Sequence, residues 1–120
     1  ALQRLVAAEG RLWGHLKLVK LGGIAPLVSA ARQLKAAGVP FMIGQMNEGH
    51  AATAAALQLC YLLQPAFAEL YGADGLTDDP ASGLTYQQGR IRASDIPGLG
   101  VRFDMTTATL LQEFSDAKTR

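Results

Sequence analysis

The stretch HLKLVKLGG, His15 to Gly23, sets the problem: an apolar run carries lysines at 17 and 20 and then meets a glycine pair. Taking an ammonium out of water without a partner is costly. Either both lysines face solvent, or one is held inside for chemistry. Side chains alternate across a strand, so residues 15, 17 and 19 share one face and 16, 18 and 20 the other. Leu16 and Leu18 form the apolar pair expected to pack on helices, with the strand ending near Lys20. Lys17 then points to the opposite face. In a closed barrel that face is the interior, where a lysine can serve as a general base; in an open sheet it is a wet surface. Lys20, at the strand's end, reads as an exposed or loop lysine and is a candidate for holding substrate.

Working downstream, Gly22-Gly23 makes a turn and Pro26 suits the first turn of a helix. Leu27, Val28, Ala31 and Leu34 form an apolar stripe, with Arg32, Gln33 and Lys35 outside it. Gly38 is the expected stop, and Val39-Pro40 forbids continuation. PFMIGQM (40–46) reads as a second strand. NEGH (47–50) turns into an Ala-rich helix from about His50 to Leu63, apolar nearly all round and so expected to be covered on more than one side. Gln64-Pro65 ends it, and AFAELYG (66–72) is a third strand. Strand, helix, strand, helix, strand with short connections argues for an α/β fold with a parallel sheet and right-handed crossovers.

At the start, Leu2, Leu5 and Val6 have helical spacing, with Gly10 as a stop. After Gly72 the chain becomes turn-rich. LTYQQGRIR (84–92) reads as a hairpin with Gln88-Gly89 at its tip. PGLGV (97–101) turns into VRFD. Asp104 or Thr106 can cap a last helix with Leu110, Leu111 and Phe114 on its apolar side.

The bulk numbers bound the partners. A formal charge of +1 over 120 residues gives no electrostatic reason to expect nucleic acid or an anionic membrane. The longest apolar run, AATAAALQLCYLL (51–63), is well short of the ~20 residues that span a bilayer. The start lacks a secretory pattern, and a lone Cys60 cannot form an internal disulfide, which fits a cytoplasmic setting. With 49% apolar residues in so short a chain, the expectation is a piece of a larger core or a homo-oligomer joined through exposed sheet edges. The chain also begins in mid-helix pattern, as though cut from something longer.

The three strand-to-loop junctions lie at one end of a parallel sheet, the edge where α/β proteins place ligands. Lys17, Lys20, Gln45, Asn47, Glu48, His50 and Asp74 gather there. Glu48 precedes a helix N-terminus, where a carboxylate is favoured by the dipole; capping and substrate contact are both open. His50 has no second ligand at a metal-type spacing. Asp74, Asp78 and Asp79 lack a calcium-loop pattern and read as solvated turn acids.

Together these segments resemble the C-terminal third of the mandelate racemase/muconate lactonizing enzyme family of the enolase superfamily. LKLVKLGGI is similar to that family's sixth barrel strand, MIGQMNEGHAATAAALQL to its seventh strand and following helix, and LTDDPASGLTYQQGRIRASDIPGLGVRFD to its closing segment. The resemblance implies the C-terminal portion of a (β/α)8 barrel, about three βα units: residues 1–72 as barrel units six to eight, with 1–12 as the preceding helix, and 73–120 as a closing segment with hairpin, PGLG turn and last helix. It implies that Lys17 is a catalytic acid/base paired with a second lysine on strand two, and that Glu48 sits at the active-site edge; Asn47 and Lys20, at the same strand ends, are the further expected substrate contacts. It implies abstraction of the proton α to a carboxylate, with Mg²⁺ stabilising the enediolate.

The metal carboxylates of that family lie on strands three to five, and its capping domain precedes the barrel. None of these is in the 120 residues. The expectation is therefore that this chain alone holds no Mg²⁺ and does not turn over a small carboxylate substrate, whereas a longer parent does. Asp74 without a D-x-D pair makes dipeptide epimerisation a weaker reading than muconate-type cycloisomerisation or racemisation of an amino-acid derivative. The alternative is a free-standing βα interaction module that self-associates through its sheet edges without catalysis.

Overall fold

A computed structural model describes residues 2–8 and 12–112. Helix α1 (Leu2–Val6) leads to strand β1 (Gly14–Leu16), a one-turn helix α2 (Leu18–Leu21) and helix α3 (Ile24–Ala36). Strand β2 (Phe41–Gly44), helix α4 (His50–Leu63) and strand β3 (Phe67–Glu69) follow. β1, β2 and β3 form one parallel sheet in that order. The closing segment holds a 3₁₀ turn (Gly72–Gly75), β4 (Ala81–Ser82), β5 (Thr85–Gln87), β6 (Arg90–Arg92) and β7 (Arg102–Phe103). β4 pairs with β7 and β5 with β6, both antiparallel. Gly10 and Phe114 lie outside the described residues.

Register sorts the side chains. Leu16 pairs with Ile43, both buried on the side covered by α3 and α4, and Ile43 pairs in turn with Ala68, which is exposed. His15, Met42 and Phe67 form the matching row on the other side. The core lies between sheet and helices: Leu16, Leu27, Ala31, Leu34, Phe41, Ile43, Ala56, Leu59 and Leu63 are all buried in one cluster. The α3 stripe ends as a helix with a following glycine should. Gly38 N–H donates to the Lys35 carbonyl and Val39 N–H to the Leu34 carbonyl, while Val39 and Leu34 are both buried. α4 is covered by β2 and α3 and also by the closing segment, as its composition demanded.

Two sequence expectations are corrected. The first strand stops before Lys20. Beyond Leu16 no ladder partner remains, Leu21 N–H donates to the Lys17 carbonyl, and Gly22 at φ 85° closes the turn by donating to the Leu18 carbonyl. That left-handed position lets the chain reverse within one turn, which a side-chain-bearing residue resists. Second, residues 104–112 are not helical. The Asp104 carboxylate accepts from the Thr106 amide and hydroxyl, tying up a local turn. Leu110 and Leu111 are exposed; with no surface to bury its stripe, so short a helix does not sustain itself.

The hairpin has the expected tip: Gln88 at φ 50° and Gly89 at φ 71° form its two-residue loop. No α-helix follows β3 within the described residues. Instead Tyr86, from the hairpin, donates its hydroxyl to the Leu70 carbonyl at 2.7 Å.

Candidate active site at the strand ends

Lys17 is the first residue beyond β1, still extended (φ −131°, ψ 134°) and two positions past His15, so its side chain continues on the side away from the helices. Its Nζ donates to the Gln45 carbonyl at 3.0 Å and approaches Met46 Sδ at 3.6 Å. A cavity of about 520 Å³ opens there, lined by Lys17, Gln45, Met46, Asn47, Glu69 and Tyr71. These residues come from the C-terminal ends of all three strands. Asn47 Oδ1 accepts from the Tyr71 hydroxyl at 3.1 Å. One ammonium, one carboxylate and several hydrogen-bonding groups therefore face a common space.

The structure brings Lys17 and Asn47 together at this cavity. It does not bring Lys20 there: Lys20 lies exposed on α2 and outside the cavity lining. Glu48 also stands back. Its Oε1 accepts from the Met46 amide at 2.8 Å, folding the carboxylate onto its own loop, and its Oε2 is buried without a hydrogen-bond partner among the described residues. Glu69 and Tyr71 were missed as candidates in the sequence. The signal was available, since Phe67, Glu69 and Tyr71 alternate onto the same face as Lys17.

Behind the cavity, the start of α4 is held by a residue from far along the chain. Asp79 Oδ2 accepts from the His50 amide and lies 2.9 Å from His50 Nδ1; its Oδ1 accepts from the Ala81 amide at 2.9 Å. Asp79 is thus a helix cap, not the solvated turn acid its sequence neighbourhood suggested; Asp74 and Asp78 are exposed. Burial works to raise the Asp79 pKa, but hydrogen bonds from the His50 and Ala81 amides and from the His50 ring outweigh it and hold it below the ordinary carboxylate value. Cys60 is partly buried on α4 and burial pushes its thiol up to about 11, consistent with an inert side chain.

Among the described residues, no three His, Cys, Asp or Glu side chains converge as a metal site. No helix among them is long and apolar enough to cross a membrane.

Comparison with known proteins gives this geometry a context. The enolase C-terminal domain-like family model matches residues 1–107. The L-Lys-D/L-Arg epimerase of Methylococcus capsulatus is 38% identical over 121 residues, covering 84% of this chain and 34% of the epimerase. The N-succinyl-L-Arg/Lys racemase of Bacillus cereus is 30% identical over 116 residues, covering 96% of this chain and 31% of the racemase. The chain thus spans about a third of the length of these relatives. The crystal structure of the Bacillus cereus racemase matches with a TM-score of 0.80 at 29% identity, over 88% of this chain and 29% of that one. That of the Methylococcus capsulatus dipeptide epimerase, complexed with Mg and the dipeptide L-Arg-D-Lys, matches with a TM-score of 0.77 at 31% identity, over 85% and 30%. With three parallel strands in barrel order and a family match across nearly all of its length, the chain belongs to the mandelate racemase/muconate lactonizing enzyme family of the enolase superfamily, as part of its (β/α)8 barrel.

Proposed function

We propose that this chain supplies the sixth to eighth strands and one catalytic lysine of a Mg²⁺-dependent racemase or epimerase acting on an amino-acid derivative, an N-acylated amino acid or a dipeptide. The observation that carries this reading is the Lys17 ammonium, held at 3.0 Å from the Gln45 carbonyl at the mouth of a cavity formed by three strand ends. Lys17 Nζ takes or returns the proton on the carbon α to the substrate carboxylate. Asn47 and Tyr71 orient the substrate from the opposite wall. Glu48 acts from behind, fixing the loop through the Met46 amide.

The carboxylate of Glu69 on the cavity wall favours a substrate with a basic side chain, in keeping with the Lys and Arg in the names of both relatives. That likeness also weighs against ranking dipeptides lower for want of a D-x-D pair. This chain's described residues do not fit a Mg²⁺ ion, so the metal ligands and the second lysine are assigned to the remaining two thirds of a protein of the relatives' length.

The test is exchange of the α-proton with deuterated solvent, using N-succinyl and dipeptide substrates with basic side chains and the protein that carries this chain. Lys17→Ala is expected to lower exchange by roughly 10²–10⁴-fold, the usual contribution of a general base, without lowering the melting temperature. The 120-residue chain alone is expected to give none. Exchange at the unaltered rate in the Lys17→Ala protein overturns the reading.

A further inference from the structure

We propose that Gln45 and Thr53 are positioning residues that fix where the Lys17 ammonium sits; the inference rests on the reading of Lys17 as acid/base. Gln45 is 3% exposed and Thr53 fully buried. The Gln45 side chain donates from Nε2 to Thr53 Oγ1 at 2.7 Å, and the Thr53 hydroxyl donates to the Glu48 carbonyl at 3.3 Å. The main-chain carbonyl of the same Gln45 accepts from Lys17 Nζ. One residue therefore joins α4 through its side chain and the lysine through its backbone.

The chain's third strand end presses on the same point. A Cβ on Gly72 would lie 2.6 Å from Gln45 Nε2, 2.7 Å from the Met46 carbonyl oxygen and 2.8 Å from the Glu48 amide nitrogen. The peptide that receives Lys17 is thus clamped between α4 and the turn after β3.

The Gln45 amide is only half used by the fold: its nitrogen is bonded to Thr53 and its oxygen is not. Gln45 Oε1 is buried with no hydrogen-bond partner among the described residues, and an unpaired buried acceptor costs stability. An apolar residue of similar size would fill the same space without that cost. What the amide adds is a directed tie to Thr53, which sets the orientation of the Gln45 peptide and so of its carbonyl.

The experiment compares Thr53→Val, which keeps the shape and removes the hydroxyl, with Thr53→Ser, which restores it, in the protein that carries this chain. Thr53→Val is expected to lower kcat by about tenfold, within the ~10²-fold that misplacing a catalytic group by 1 Å can cost, with KM little changed. Thr53→Ser should recover the rate. By NMR, the two ε-methylene protons of Lys17 should be inequivalent in the unaltered chain, merge in Thr53→Val and separate again in Thr53→Ser. If Thr53→Val does not fold, Gln45→Met, which removes the amide at similar volume, is read in the same two ways.

Unchanged kcat together with unchanged ε-methylene signals overturns the proposal, as does a Thr53→Ser protein that stays as impaired as Thr53→Val. A Lys17→Ala protein that still turns over overturns the acid/base reading instead. The two failures are distinguishable, because the methylene signals report whether Lys17 is held without reference to turnover.

Discussion

Lys17 was legible because strand alternation acts on single residues: with Leu16 and Leu18 committed to the core, its direction was decided. Asp79 was not legible. Its partner His50 lies 29 positions away, and nothing in the local run of turn acids distinguishes the one that reaches a helix N-terminus. The consequence is measurable. Asp79 has its pKa held below the ordinary carboxylate value in the folded chain, so its contribution is present above the unfolded-state pKa and is lost as pH falls through the depressed folded value. Melting temperatures followed from about pH 7 to about pH 3 should show an acid limb that flattens in Asp79→Asn. Asp79→Ala at neutral pH should cost about 0.5–2 kcal/mol, the range for a lost N-cap. An acid limb of unchanged steepness in Asp79→Asn would reject this assignment.

Among elements, the helix bearing its own stop signals and the hairpin bearing its own tip were read correctly, since short-range hydrogen bonds decide them. The end of β1 and the last helix were not, since each depends on whether a partner lies alongside. LVKL has strand-like residues, yet becomes a helical turn where the ladder runs out. The segment after Asp104 carries an amphipathic pattern, yet within the described residues has nothing to pack it against. Contacts between elements also set the tolerance for change. Gly72 approaches the backbone of the β2–α4 loop so closely that a methyl group has to displace main-chain atoms at 2.7 and 2.8 Å, and not merely a mobile side chain. Gly72→Ala should therefore destabilise by about 1–3 kcal/mol, as overpacking does, and denaturant titration will show it as a lower midpoint at unchanged slope. A midpoint at or above that of the unaltered chain would mean that the loop yields freely.

For the molecule as a whole, the sheet carries a face, opposite the helices, that the described residues leave open. Trp13 and Phe67 stack there with ring centroids 5.3 Å apart, yet remain 49% and 61% exposed. All three residues of β3 are exposed, and neither outer edge of the three-stranded sheet has a partner among the described residues. Unpaired strand edges beside exposed aromatic surface template association. The 120-residue chain is expected to self-associate, with light scattering giving a mass above that of one chain at micromolar concentrations, and Trp13→Ser with Phe67→Ser should reduce it. A single-chain mass across that range would count against association. This surface was only partly visible beforehand: the apolar fraction gave its amount, but its place depended on which strand faces lacked a cover.

The outward flank of β3 has a further meaning. That strand is followed by a hairpin where the first two strands are each followed by a helix, and the opposite edge of the sheet has no strand partner among the described residues. Tyr86 ties that hairpin to the strand's end through the Leu70 carbonyl, so β3 is secured by main-chain pairing with β2 and by a side-chain tie from the hairpin.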